Sequence, residues 1–259
     1  MVTAGRVFVN GVSVRKASQD FSEDAEIVVL PAVDYVSRAG HKLAHALELF
    51  SEIDVQGQNA LDVGASTGGF TDVLLRNGAN NVVAIDVGHD QIVEGLRDNS
   101  RVIVVEGFNA RHLSVDALAQ VSGLRNEVTA AGAPKRGGLL DFGIVVADLS
   151  FISLTLVLKQ MLETAPNAEF ILLVKPQFEV GKQSLEASGV VKDHRLRAQA
   201  IDQVVDFVYA NGAWVHGIER SPMPGTHGNV EYLLWISARP GEYRSEWSQR
   251  IESLAKEGK

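Results

Sequence analysis

Four charged residues of this 259-residue chain stand where an apolar run ends or begins, and a glycine-rich loop lies among them. Asp148 follows the run IVVA (144–147), Lys175 closes FILLVK (170–175), Glu231 sits at the start of VEYLLWI (230–236), and Lys42 lies in a helical pattern over 38–50. Amines and carboxylates at such places are suited to proton transfer and to orienting a nucleophile. A free lysine is an ammonium at neutral pH and useless as a base. Desolvation beside a second cation favours the neutral amine. Lys175 next to Lys42 is therefore the expected general base, with Asp148 and Glu231 orienting the pair. Pro176 should end the strand so that Gln177, Phe178 and Glu179 turn away and leave Lys175 facing a cleft. The competing reading of the four charges is a structural double salt bridge at a sheet edge.

The loop is DVGASTGG (62–69). Asp62 precedes Gly64, Ala65, Ser66, Thr67, Gly68 and Gly69, and Phe70 opens the helix behind them. Glycines let the backbone approach a ligand closely, and a helix N-terminus offers free N–H groups. Asp86 ends the next apolar run, followed by Val87, about where an acid accepts hydrogen bonds from ribose hydroxyls. A dinucleotide loop would read G-x-G-x-x-G, but Ser66 takes the second glycine's place. Asp62 would also repel a pyrophosphate and welcome a cation. S-adenosylmethionine, with its ammonium and sulfonium, is the expected ligand; a nicotinamide dinucleotide fits less well, and a ligand-free strand–helix turn is the bland alternative.

These residues need elements to hold them. Short apolar strands at 60–63, 82–85, 102–105, 144–147, 170–174, 214–218 and 230–236 alternate with helical segments, among them 70–76, 154–164 and 195–209. That rhythm indicates an α/β, Rossmann-like fold: a seven-stranded, mostly parallel sheet covered on both faces. The segment 220–229 is too short for a parallel crossover, so the last strand should run antiparallel. Asp148, Lys175 and the glycine loop then share the carboxyl edge of the sheet, and an antiparallel last strand brings Glu231 there too. Lys42 joins them if its helix packs across that edge. Ahead of this lies a small β-rich unit with an Asn-Gly turn signal at 10–11. The expected division is 1–31 for that unit, 32–36 for a linker, 37–240 for the catalytic domain, and 241–259 for a charged tail forming a solvated helix. Residues 125–138 read as a surface insertion.

Composition excludes several alternatives. The chain has no cysteine, so disulfides and thiolate metal sites are out. His41 and His45 are four apart on a helix but lack an apparent third ligand, so no metal is expected. A net charge of −8 argues against indiscriminate polyanion binding, so a nucleic-acid partner needs a local patch. The apolar run 145–162 is broken by Asp148, Ser150, Ser153 and Lys159, so no membrane span is expected, and a cytoplasmic protein is the simplest reading.

The blocks SRAGHK (37–42), LDVGASTGGFT (61–71), VADLSFIS (146–153), LVKPQFEVG (173–181), GVVKD (189–193) and PGTHGNVEY (224–232) together resemble the TlyA family of ribosomal RNA 2′-O-methyltransferases, relatives of FtsJ. The resemblance spans nearly the whole chain. It implies a class I methyltransferase fold, S-adenosylmethionine as donor, and methylation of cytidine 2′-hydroxyls in ribosomal RNA or ribosomal subunits. The family's Lys-Asp-Lys-Glu tetrad falls on Lys42, Asp148, Lys175 and Glu231, and its adenine-side position on Asn109, where FtsJ has Asp. It also implies that residues 1–31 are the end of a small RNA-binding domain whose two helices come first in relatives. Some family members are labelled haemolysins, a role for which this sequence offers no membrane-active feature. Candidate RNA contacts are Arg38 and His41 beside Lys42, Phe178 as a stacking platform, and Lys182 and Arg195 after the Lys175 strand; Lys192 and Arg197 belong to the same basic group, which is equally readable as solvated. A methyltransferase acting on adenine N6 would carry an Asn/Asp-Pro-Pro-aromatic run where this chain has DLSF (148–151). The rival from another class is a non-catalytic RNA-binding or assembly factor that keeps the fold.

Overall fold

The computed structural model describes residues 7–257 apart from 15, 17, 23, 30–33, 123–140, 182–184, 186, 187 and 226. The insertion expected at 125–138 and Lys182 therefore lie outside the described residues. At the N-terminal end, β1 (Val7–Val9), β2 (Val12–Ser13) and β3 (Ile27–Val29) form an antiparallel sheet in the order β2-β1-β3. Asn10 and Gly11 both adopt positive φ, 49° and 78°, as a two-residue hairpin turn requires. Phe8 and Val28 of this sheet pack on Met223, and Phe8 and Met223 are both 1% exposed.

Seven strands make the main sheet: β4 (Asn59–Val63), β5 (Asn81–Ile85), β6 (Val102–Val105), β7 (Ile144–Ala147), β8 (Glu169–Val174), β9 (Trp214–Arg220) and β10 (Tyr232–Ser237). Their order is β6-β5-β4-β7-β8-β10-β9, and β10 is antiparallel to both of its neighbours while the remaining pairs are parallel. The expected antiparallel last strand is present, inserted between β8 and β9. Strand order reverses beside β4, with β5 on one side and β7 on the other, and ligands of open α/β sheets bind at such a switch point. Tyr232 pairs with Val174, so the preceding Glu231 and the following Lys175 arrive at one edge.

Helices cover both faces. Leu61 and Val63 of β4 point into a core closed by α4 (Val115–Ser122), α5 (Leu158–Thr164), α7 (His194–Ala210) and α8 (Trp247–Lys256). Ala60 points into the opposite core, with α1 (Arg38–Leu49), α2 (Gly69–Arg76) and α3 (Glu94–Arg97). The helix expected over 154–164 is divided: Ser153 caps a 3-10 turn at Leu154–Leu156, and the non-helical φ of −131° at Val157 separates it from α5. The tail is more than a solvated helix. Trp247, Ile251, Leu254 and Ala255 on one face of α8 are buried against the core, because their spacing gives even this charged segment an apolar stripe.

Candidate active site

Helix α1 reaches the sheet edge because two glycines allow it. Gly40 on α1 lies against Gly69 at the start of α2, and a methyl at Gly69 would collide with Ser37 Oγ and meet Gly40 N at 3.0 Å. The buried face of α1 carries Gly40, Lys42, Leu43 and Ala46, so Lys42 is carried inward among apolar neighbours. The segment leading into α1 is fixed by α2: Asp72 accepts from Val36 N at 3.1 Å, and Arg76 donates to Asp34 O at 3.0 Å.

The four charges alternate in space. Lys42 Nζ donates to Glu231 Oε2 at 2.6 Å and lies 4.0 Å from Asp148 Oδ2; Lys175 Nζ pairs with Asp148 Oδ1 at 2.6 Å. Lys42, Lys175 and Glu231 are 8%, 7% and 2% exposed, so solvent screens this chain of charges weakly. The two lysines approach the site from opposite sides of one carboxylate: Asp148 presents Oδ1 to Lys175 and Oδ2 to Lys42.

The structure corrects the expectation for the turn after Lys175. Residues 177–179 do not turn away, because α6 (Pro176–Glu179) coils them back over the site. Gln177 Nε2 donates to the free oxygen of Glu231, Oε1, at 3.3 Å. The Phe178 ring lies 5.9 Å from Lys175 Nζ and packs on Phe151. Glu179, buried, accepts from Ser153 Oγ and from Leu154 N at 2.9 Å. Burial pushes the Glu179 carboxyl above its ordinary range, and the Ser153 and Leu154 donors pull it back. This anchors the loop after β7, in which Phe151 holds the left-handed φ of 65° and is 91% exposed. Ser150 on that loop accepts from Lys175 Nζ at 3.0 Å. Ser150, Gln177 and Glu179 are functional candidates that sequence reasoning missed.

Two cavities meet at this edge. The smaller, about 320 Å³, is lined by Arg38, Lys42, Gly64, Ala65, Ser66, Thr67, Phe70, Asp148, Ser150, Lys175 and Glu231 among others. The larger, about 630 Å³, takes Gly64, Ser66, Asp86, Val87, Asn109, Asp148 and Ser150 into its wall. Its rim is tied down by Glu106, which accepts from Arg97 at 2.9 Å and from Gln91 N at 3.0 Å. Burial pushes the Glu106 carboxyl up, but Arg97 and the backbone N–H donors outweigh it and hold it at about 2. Asp86 accepts from Ser66 N at 2.8 Å and from Gly88 N at 2.7 Å, so it shapes the loop as well as lining the cavity. Asn109 Oδ1 accepts from Arg111 N at 3.0 Å, which fixes that side chain in the same wall. Gly68 and Gly69 line neither cavity; a side chain at Gly68, φ 96°, would run into Leu96.

Asp62 lies beneath the loop, fully buried. Its Oδ2 accepts from Thr71 at 2.6 Å, while Oδ1 has no hydrogen-bond partner among the described residues. Burial pushes this carboxyl up to about 7; the Thr71 hydroxyl opposes that, and Asp148 and Asp86 add to it.

Residues 35–238 match the FtsJ-like methyltransferase family. The chain belongs to that family. Among relatives of this methyltransferase, the 16S/23S rRNA (cytidine-2′-O)-methyltransferase TlyA of Mycobacterium tuberculosis is 42% identical over 239 residues, 91% of this chain and 81% of that one. Hemolysin A of Brachyspira hyodysenteriae is 36% identical over 234 residues, 90% of this chain and 89% of that one. A solved haemolysin-labelled protein from Streptococcus thermophilus superposes with a TM-score of 0.73 at 32% identity, covering 98% of this chain and 86% of its own.

The RNA-contact candidates of this FtsJ-like methyltransferase are distributed unevenly. Arg38 is exposed on the smaller cavity, and His41 packs edge-on against Tyr35 at 5.0 Å between ring centres. Phe178 is half-buried beside the exposed Phe151. Arg195 is not brought to the tetrad. It stands at the start of α7, where its N–H is capped by Asp193, and lines a separate groove with His194 and Lys256. Arg197 is no surface cation either: it is 5% exposed and donates to the carbonyls of Ala255, Val191 and Lys192. Helical period explains both, since residues 195 and 197 cannot share a face. Among the described residues no helix is long and apolar enough to cross a membrane, and no three His, Cys, Asp or Glu are grouped to hold a metal.

Proposed function

We propose that this methyltransferase transfers a methyl group from S-adenosylmethionine to a ribose 2′-hydroxyl, that of cytidine, in ribosomal RNA. The observation that carries the proposal is the buried Lys175–Asp148 pair, 2.6 Å, in the wall of a cavity adjoining a glycine-lined one. Names borne by relatives such as TlyA supply the substrate class.

The residues present suit the donor. Asp62, with one buried oxygen unpartnered, and Asp86 and Asp148 nearby give this corner a negative potential suited to a cationic ligand and hostile to a pyrophosphate. Gly64, at φ 86°, lets the backbone line both cavities; a side chain there would meet Asp148 O and Leu149 at 3.0 Å. Asp62, Gly64, Ala65, Ser66, Thr67 and Phe70 would hold the methionine part, Asp86 and Val87 the ribose, and Asn109 the adenine. When bound, S-adenosylmethionine supplies an electrophilic methyl on a sulfonium that leaves as a neutral thioether.

The chain's own part is to place the acceptor oxygen and remove its proton. Lys175 acts as base after giving a proton to Asp148, at 2.6 Å, within their buried pair. Lys42 stays paired with Glu231, and Gln177 holds the other Glu231 oxygen, so that arm keeps the acceptor's orientation fixed. Arg38 and the Phe151–Phe178 pair stand at the mouth for phosphate and base, and residues 1–31 add an RNA-binding surface.

Labelled donor incubated with each ribosomal subunit, followed by mapping of 2′-O-methyl positions by primer extension at limiting nucleotide, tests the proposal. Ribose label on one or both subunits is expected; label on protein or on free base alone would sink it. Lys175→Ala should still bind S-adenosylmethionine with little loss yet transfer no methyl, and full turnover by that variant would remove the assigned base.

A further inference from the structure

Four residues line both cavities: Gly64, Ser66, Asp148 and Ser150. They form the junction between the two cavities. Gly64 has no side chain, Ser66 Oγ donates to Gln91 Oε1 at 3.1 Å, and Asp148 is engaged by Lys175. Ser150 differs from these. It is exposed, and its hydrogen bond with Lys175 Nζ, 3.0 Å, uses a lone pair of its oxygen, leaving its O–H to donate. Lys175 itself is 7% exposed and lines only the smaller cavity.

The geometry points to Ser150 as a further catalytic residue, a one-hydroxyl relay between the acceptor oxygen and Lys175. This rests on the 2′-O-methyltransferase reading above. With Lys175 as the neutral amine, the Ser150 hydroxyl rotates to donate to its nitrogen lone pair. As an oxygen lone pair of the 2′-hydroxyl forms the new C–O bond, the C–S bond breaks and its electron pair stays on sulfur. The 2′-hydroxyl proton moves to Ser150 Oγ while the Ser150 proton moves to Lys175 Nζ. The products are the ether, the thioether, an intact serine and the Lys175 ammonium, so atoms and charge balance. Direct attack by Lys175 would need the ribose to enter the smaller cavity deeply enough to touch a nearly buried nitrogen. The relay lets the ribose stop at the junction, where an exposed hydroxyl meets it.

Single-turnover methyl transfer to the subunit that wild type methylates, run in mixtures of light and heavy water, tests this. Ser150→Ala should slow transfer by about 100-fold, in the range of general acid–base contributions. Ser150→Thr, which keeps a hydroxyl, should recover most of the rate. Binding of S-adenosylmethionine by calorimetry and the melting temperature should be unchanged in both variants. The wild-type rate should curve against deuterium fraction, as two protons in flight require, and the Ser150→Ala rate should follow a straight line. A Ser150→Ala rate within about two-fold of wild type overturns the relay. So does a slowed variant that keeps the curve, since that marks a positioning effect. Absence of any 2′-O-methyl product from wild type would overturn the underlying reading and the relay with it, whereas an active wild type with an unaffected variant removes the relay alone.

Discussion

Asp62 places a carboxyl group where water cannot reach it, with one hydroxyl for support. Burial holds its pKa at about 7, against the Thr71 hydrogen bond and with Asp148 and Asp86 adding to it. The sign follows from proton counting. Between about pH 4 and about 7 the folded state keeps a proton that the unfolded state has lost, so the ligand-free protein loses stability as pH rises through that window. Urea denaturation should show this loss, and Asp62→Asn should remove it. A cationic ligand favours the ionised form. S-adenosylmethionine affinity should therefore rise by about ten-fold between pH 6 and 8. In Asp62→Asn it should be weaker and flat with pH, as read by calorimetry. The place of Asp62 beneath the loop was legible in the sequence, because it falls in a buried strand just before the glycines. So was the meeting of Asp148, Lys175 and Glu231, since strand ends fix which residues share an edge; Lys42 joins them only through the packing of α1. Ser150 and Gln177 were not legible. Their partners, Lys175 and Glu231, are 25 and 54 residues away, and the contacts depend on loop paths that no periodicity encodes.

Secondary-structure elements are held to the site by two small devices. One is the Gly40–Gly69 crossing, which lets α1 approach α2 closely enough to present Lys42. Gly69→Ala should push α1 outward, costing about 1–3 kcal/mol by overpacking. Its transfer rate should fall further than its S-adenosylmethionine affinity does, because Lys42 moves while Gly69 lines neither cavity; equal losses in both would contradict that assignment. The other device is α6, a single turn whose Gln177 binds Glu231 and whose Glu179 binds the loop after β7. Glu179→Gln leaves one of two buried donors without its acceptor and should cost about 1–3 kcal/mol in chemical denaturation. The strands were legible because buried parallel strands read as unbroken apolar runs. The α6 turn was not: a proline after a strand announces a bend, but four residues are too few for helical periodicity to register. Gly68 and Gly69 line neither cavity, and a glycine needed for close packing looks the same in sequence as one needed for a ligand.

At the scale of the whole molecule, the charged tail completes the domain. Arg197, buried in α7, donates to Ala255 O near the end of α8 at 2.7 Å, and Trp247, Ile251 and Leu254 fill the core beneath. A chain stopped after residue 246 should lose on the order of 5 kcal/mol, at about 1.5–3 kcal/mol per large buried side chain. That approaches the whole stability of a typical domain, so soluble, cooperatively melting protein should be nearly absent. The small N-terminal sheet is also joined to the active-site edge: Phe8 rests on Met223, which lines the smaller cavity with Gly225 and Glu231. The sheet order has one more consequence, for the making of the protein. Strand β10 fills a slot between β8 and β9, both of which leave the ribosome before it. Until residue 237 has emerged, the nascent chain carries two bare strand edges facing a gap, and Lys42 lacks the Glu231 that follows it by 189 positions. Such edges invite pairing with other chains. A truncated product ending before Glu231 thus lacks the Lys42–Glu231 pair and is prone to aggregate, and the candidate active-site edge is among the last features this chain completes as it is made.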